Sequence, residues 1–471
     1  MNPVASSMTR LWHPFADMAA VADSGELVIE SGSGSHVTDN RGRRYLDAAA
    51  GLWYCNVGHG REELADAAAR QMARLASYSA FGDLATQPAI DLAERLALMA
   101  PMDDVRVFLT SGGSDGVDTA VKLVRRYWAE RGHAERHAIV TREHAYHGMH
   151  LAGTSLAGID ANRSGHGELD PAVLRVPWDD AEALEDLLQS RRDVGAFFCE
   201  PVIGAGGVYA PPEGYLARVR EICRAHDVIF VADEVICGYG RTGRMFASDR
   251  WALDPDVVLT AKGITSGYIP LGAVLVSGRI AEPFWSGEHG PVMWRHGYTY
   301  SAHATACAVA LANLDIVARE DLVQRVDRLQ HRLGSALAPL AAYDVVSEVR
   351  AGVGLLAAVD YTAQAKDAGV AAQVLAGLRE RGVLTRNLAS GALQISPPFV
   401  IEEQDIDLLA AAVSDAIVAA GGARREGHAA PVGLRRARPE SHGLLPDITM
   451  DEGIDAFDDR HYLEQRPPHH G

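Results

Sequence analysis

The sequence predicts an α/β fold: a large domain built on a mixed, mostly parallel sheet, with a smaller α+β domain beside it. Three observations carry this. The chain has 471 residues, nearly half of them apolar, which is more than one ordinary domain and suggests two plus tails. Between about residues 104 and 310, short apolar runs alternate with helical patterns. Those runs have few alternating polar positions, as do strands buried on both faces of a helix-covered sheet.

In chain order, residues 1–60 are irregular apart from a hairpin in Ser31-Gly-Ser-Gly-Ser-His-Val-Thr-Asp-Asn-Arg-Gly-Arg-Arg-Tyr-Leu-Asp47, with its turn at Asn40-Arg-Gly42. Leu, Ala and Met recur at helical spacing over 61–76 and 86–99. Val105–Thr110 is a strand, followed by a glycine turn and an amphipathic helix from Val117 to Arg131. Further buried strands are Ala138–Val140, Gly195–Cys199, Val228–Ala232, Val257–Thr260 and Ala273–Val276, with helices at 182–190 and 213–226 between them. A long helical region, 303–341, leads into an α+β unit with strands near 345–349, 353–360 and 393–396. The expected division is an N-terminal segment 1–60 joining the small domain, a large domain 61–315, a small domain 316–420, and a poorly ordered tail 421–471 of Gly, Arg, Pro, His and acidic residues. The sequence has no internal repeat.

The balance of 44 basic against 62 acidic residues, net −18, argues against nonspecific nucleic-acid binding. Five widely spaced cysteines without a CxxC pair read as buried free thiols of a reducing compartment. Nothing opens the chain like a secretory signal, and no uncharged apolar run reaches the roughly 18 residues that span a bilayer, so the cytoplasm is the expected location.

The chemistry concentrates at strand ends. Asp256-Val-Val-Leu-Thr-Ala-Lys262 delivers one lysine into a glycine-bounded loop, and Val228-Ile-Phe-Val-Ala-Asp233 stops at a carboxylate. Ligands of open α/β sheets bind at carboxyl strand ends. A lysine and an aspartate there suit an aldehyde cofactor with a ring nitrogen: the lysine forms the Schiff base and the aspartate keeps the nitrogen protonated, which points to pyridoxal phosphate. Thr110-Ser-Gly-Gly-Ser-Asp-Gly-Val-Asp118 joins strand to helix and offers backbone N–H groups to a phosphate. The same stretch fits a serine-hydrolase nucleophile elbow at Ser114, or a plain tight turn. Tyr146, in Arg142-Glu-His-Ala-Tyr146-His147-Gly148, could stack on a flat ring or simply pack; His144, His147 and His150 lack the companion carboxylate of a metal motif. Trp53 is either a pocket wall or core packing.

Together these stretches resemble the class III aminotransferases, which are fold-type-I pyridoxal-phosphate enzymes, over about residues 11–415. The similarity runs through Asp233-Glu-Val-Ile-Cys-Gly-Tyr-Gly-Arg-Thr-Gly243, through Ala261-Lys262-Gly-Ile-Thr-Ser-Gly 29 residues beyond that aspartate, and through His296-Gly-Tyr-Thr299-Tyr-Ser-Ala-His303. The resemblance implies Lys262 as Schiff-base lysine and proton shuttle and Asp233 as partner of the ring nitrogen. It implies Tyr146 and Val235 on the two ring faces with His147 beside them, Gly113 and Ser114 on the phosphate, and Glu200 as support. It also implies a homodimer in which Thr299 reaches the partner's phosphate. Here the family's common Ser-Gly-Ser-Glu turn is Gly112-Gly-Ser-Asp115.

Ornithine and 4-aminobutyrate enzymes of the family carry a glutamate where this chain has Ala205 and an arginine where it has Gln394, so the pattern argues against those substrates. It is similar instead to the amine:pyruvate and β-alanine:pyruvate (omega-transaminase) branch, which implies Arg386 as the carboxylate-binding arginine, Trp53 as a pocket wall, and amino transfer from an amine or omega-amino acid to pyruvate or another 2-oxo acid. The alternatives are a same-fold aminomutase, decarboxylase or racemase, a serine hydrolase using Ser114, and a noncatalytic cofactor-binding regulator.

Overall fold

The computed structural model describes residues 10–286 and 292–425. The first nine residues, residues 287–291 and everything from 426 onward lie outside the described residues, and with them nearly all of the segment read as a tail.

Seven strands form the large sheet: β1 (Arg106–Thr110), β2 (Ala138–Arg142), β3 (Val173–Val176), β4 (Val194–Cys199), β5 (Ile229–Asp233), β6 (Val257–Thr260) and β7 (Gly272–Val276). Their order is β1-β7-β6-β5-β4-β2-β3. Strands β2 to β6 run parallel, and β7 is antiparallel to both its neighbours. Every residue of β4, β5, β6 and β7 is buried, which explains their unbroken apolar runs. Successive side chains alternate between two cores. Phe197, Phe230, Val258 and Leu275 pack on one face with the helix Tyr215–Ala225, and Phe198, Val231, Leu259 and Val274 on the other with the helix Gly113–Glu130. The sequence reading overlooked β3, a half-buried edge strand that carries an arginine.

Registers Cys199↔Ala232 and Asp233↔Leu259 bring the carboxyl ends of β4, β5 and β6 level. Glu200, Asp233 and Lys262 therefore emerge at one edge of the sheet. β1 ends at this edge too, since Thr110 pairs with Gly272 at the start of antiparallel β7, and the helix Gly113–Glu130 begins there.

Two smaller sheets flank this layer. In the first, Ile29–Ser33, His36–Asp39 and Arg44–Asp47 are joined by the distant Val383–Leu384, which runs parallel to Arg44–Asp47. In the second, Val346–Val353, Leu356–Tyr361 and Leu393–Ile395 pack against the helices Leu322–Leu337, Val370–Glu380 and Glu403–Ala419. The helical region expected over 303–341 is two helices, Ala304–Arg319 and Leu322–Leu337, broken where Asp321 takes a φ of 50°.

Arg241, buried behind β5, ties the parts together. It donates to Asn56 Oδ1 at 2.7 Å and to the Pro397 carbonyl at 2.6 Å, and its guanidinium lies 4.6 Å from the Phe399 ring centroid. Burial pushes its pKa down to about 9.

Candidate active site

Lys262 sits one residue beyond the extended Ala261, at the start of a single 3₁₀ turn, Lys262–Ile264. Its φ is +46°, a conformation that costs a non-glycine residue about 1–3 kcal/mol and persists only where the surroundings enforce it. Asn313 Nδ2 enforces it, donating to the carbonyls of Gly263 at 2.9 Å and Ile264 at 3.0 Å. Burial holds the lysine pKa below its ordinary value; Asp233 and Glu200 oppose this and Arg386 reinforces it. The folded chain therefore releases this proton at lower pH than the unfolded chain does. The resulting stability is fully present above the ordinary value of 10.5 and is lost as pH falls through the folded value. Urea midpoints of the cofactor-free protein should climb as pH rises toward 10.5, and this climb should be shallower in Lys262→Met.

Asp233, buried, accepts from His147 Nδ1 at 2.7 Å and from the Val235 N–H at 3.1 Å. Because a carboxylate can only accept, the His147 proton facing it is on Nδ1. The other ring nitrogen, Nε2, is buried without a hydrogen-bond partner among the described residues. Glu200 accepts from the N–H groups of Tyr146 at 2.9 Å and Gly204 at 3.0 Å, so it fixes the loop that carries the tyrosine ring. The three histidines of that region diverge: His147 turns to Asp233, His144 lies against the Tyr209 ring, and His150 approaches Asp115.

Gly113 and Ser114 open the helix Gly113–Glu130, whose first N–H groups have no intrahelical acceptor. Ser114 Oγ accepts from the Met149 N–H at 3.3 Å, and no histidine ring pairs with it among the described residues. Gly148 completes this cradle. Its φ is +87°, and a Cβ there would stand 2.4 Å from Ser114 Oγ. Gly148→Ala should lower stability by about 1–3 kcal/mol, read from thermal denaturation, and should weaken retention of phosphate-bearing ligands.

These groups enclose one cavity of about 240 Å³, lined by Gly113, Ser114, Tyr146, His147, Glu200, Asp233, Val235 and Lys262. Ile236, Ala261 and Leu271 also line it; sequence reasoning missed them, because an aliphatic side chain in a motif carries no chemical signal. A larger cleft, lined in part by Arg220, Arg224, Asp254 and Arg279, lies where β5 and β6 begin, at the opposite end of the strands.

Trp53 and Arg386 meet beside the cavity. Arg386 Cζ lies 4.5 Å from the Trp53 ring centroid, and its charge is felt at both Tyr146 and Lys262. Among the described residues it has no carboxylate within 4 Å. Ala205 packs in the same apolar cluster as Trp53. Thr299 is not brought in: it is exposed and does not line the cavity of its own chain.

The residues fit pyridoxal phosphate. A buried amine and a buried carboxylate stand in one ring-sized cavity, a helix start that tolerates no Cβ at Gly148 faces a phosphate position, and the orphaned His147 Nε2 lies at the wall.

The family model described as aminotransferase class-III matches residues 18–417. The chain is 36% identical to the putrescine–pyruvate aminotransferase of Pseudomonas aeruginosa, over 87% of this chain and 96% of the relative. It is 35% identical to the mitochondrial gamma aminobutyrate transaminase 1 of Solanum lycopersicum, over 84% and 82%. A solved amine transaminase from an uncultivated Pseudomonas species, in its pyridoxal-phosphate-bound form, superposes with a TM-score of 0.82 at 37% identity, covering 88% of this chain and 100% of that one.

Proposed function

The chain belongs to the class III aminotransferases, which use pyridoxal phosphate, and from that premise we propose that it moves an amino group from an amine or omega-amino acid to pyruvate or another 2-oxo acid. The observation that carries this reading is Arg386, a half-buried guanidinium with no carboxylate partner among the described residues, stacked on Trp53 at the edge of the lysine cavity. Such a group is poised for a carboxylate that arrives with the substrate. The relative named for putrescine and pyruvate supports a diamine donor, and the one named for 4-aminobutyrate keeps that amino acid in the donor panel although Ala205 and Gln394 replace the glutamate–arginine pair.

Bound pyridoxal phosphate supplies an aldehyde carbon that takes the amino group and a ring that accepts the electron pair left when the donor carbon loses its proton. In this reading the residues do the rest. Asp233 holds a proton on the ring nitrogen, and its bond to His147 fixes the carboxylate. Tyr146 and Val235 confine the ring, and Gly113 and Ser114 hold the phosphate. Lys262 Nζ, whose hold on its proton burial weakens, takes the proton from the donor carbon and returns it. Arg386 orients the carboxylate of the oxo acid.

The active unit in this proposal is a homodimer. Thr299 reaches the partner's phosphate, which agrees with its exposure. The exposed Tyr78, Phe81 and Tyr300 provide an apolar surface beside it, with a Cβ on Gly297 meeting Phe81 at 3.3 Å. A cytoplasmic location agrees with five free, buried cysteines. Among the described residues no helix is long and apolar enough to cross a membrane.

The test is a donor screen with pyruvate as acceptor, reading alanine. Alanine formed from putrescine, 4-aminobutyrate or β-alanine supports the proposal. Release of carbon dioxide or migration of the amino group without alanine would favour the decarboxylase or aminomutase reading.

A further inference from the structure

We propose that Gln394 is a positioning residue that sets Arg386 as a clamp for carboxylates and thereby biases this enzyme toward carboxylate-bearing partners over uncharged amines; this rests on the reading of Arg386 given above.

The strand Leu393–Ile395 and the residue after it present alternate side chains to one face, so Gln394 and Ser396 point the same way. Gln394 Oε1 accepts from Arg386 Nε at 2.8 Å, and Ser396 Oγ accepts from Trp53 Nε1 at 3.1 Å. One strand face thus holds both the guanidinium and the aromatic plate on which it lies. The main chain supports the pairing, because the Gln394 N–H donates to the Arg386 carbonyl at 2.9 Å and Asn387 bridges Leu393.

The amide can be oriented from chemistry alone. Arg386 Nε is only a donor, so the Gln394 oxygen faces it and the NH₂ group faces away. Occupation of Nε blocks the side edge of the guanidinium and leaves the end-on pair, Nη1 and Nη2, as a two-pronged site for a carboxylate. Gln394 is fully buried, and its Nε2 has no partner among the described residues. A buried donor left open beside an uncompensated cation suits a site that a ligand completes. A rotamer-rich arginine held in place beforehand has less freedom to lose when the oxo acid binds. An uncharged donor gains nothing from it and must displace it.

The experiment uses the holoenzyme and measures KM and kcat for pyruvate and, separately, for butylamine. It also measures the dissociation constant of propionate, a carboxylate that cannot react, from the cofactor absorbance. In Q394M the Arg386 Nε–H loses its acceptor. Pyruvate KM and the propionate constant should each rise about tenfold, with the effect on KM rather than on kcat, and butylamine KM should stay level or fall. Q394E keeps an acceptor but puts a negative charge beside the incoming carboxylate, so pyruvate KM should rise further than in Q394M. S396A loosens the plate and should raise pyruvate KM by about threefold, which keeps the proposal testable if Q394M does not fold. A pyruvate KM within about twofold of the parent in Q394M, or pyruvate and butylamine KM rising together, overturns the proposal. R386L separates the two readings. If it raises pyruvate KM while Q394M does not, the tether fails and Arg386 stands as the carboxylate site. If R386L also leaves pyruvate KM unchanged, the assignment of Arg386 itself fails.

Discussion

Lys262→Ala is expected to lower amine transfer to pyruvate by at least about a thousandfold, since in the proposed mechanism the variant loses both the amine that attaches the cofactor and the base that moves the proton. No other amine can substitute readily: Lys262 is the lysine that lines the cavity, and the turn at Gly263 and Ile264 is built around its position. Folding should be preserved, because the substitution removes a charge-bearing group from a buried site rather than a packed apolar one. Two measurements check this. Alanine production from a good donor should fall to near background, and borohydride should no longer fix the cofactor covalently to the chain. Turnover within about tenfold of the parent would sink the assignment.

Asp233→Asn is the second large effect. It preserves the volume at the end of β5 but removes the charge that, in the proposed mechanism, holds a proton on the ring nitrogen, so kcat should fall by about a hundredfold to a thousandfold. The substitution also reaches His147. With an amide in place of the carboxylate, the short bond from His147 Nδ1 weakens, and the imidazole loses the partner that orients it. A blue or red displacement of the cofactor absorbance relative to the parent, together with the loss in kcat, would report the altered ring environment. An unchanged spectrum and rate would place the ring nitrogen elsewhere.

Much of this architecture is legible in the sequence because burial leaves a compositional mark. The strands β4 to β7 are apolar up to the terminal Asp233 and Thr260, and Lys262 follows β6 by two residues, so both the sheet and its chemical edge can be read from pattern. The strand β3 left no such mark: at the sheet margin, with Arg175 in its middle, it reads as an ordinary connection. The break at Asp321 is hidden for a different reason, since Ala304–Arg319 and Leu322–Leu337 both carry helical spacing and one left-handed residue separates them. Within the site, Gly113, Ser114, Tyr146, His147, Glu200, Val235, Asp233 and Lys262 do line one cavity. The bond between His147 and Asp233 was not legible, because a contact between residues on different loops depends on tertiary placement. The same holds for Gln394 and Arg386. Sequence identifies Gln394 as the wrong residue for one known substrate switch, and only the folded hairpin shows what it holds instead.

The pairing of Val383–Leu384 with Arg44–Asp47 also bears on how the protein comes into being. A ribosome makes the two partners at nearly opposite ends of its work. Until residues 383–384 emerge, the backbone of Arg44–Asp47 presents an unpaired edge, open to any extended segment nearby. Closure is therefore a late, long-range step, of the kind that slows folding and exposes intermediates to aggregation. Premature stops that leave the lysine cavity's own strands complete should still yield poorly soluble protein, and yield in the cell should depend on chaperone supply more than the catalytic residues alone would suggest.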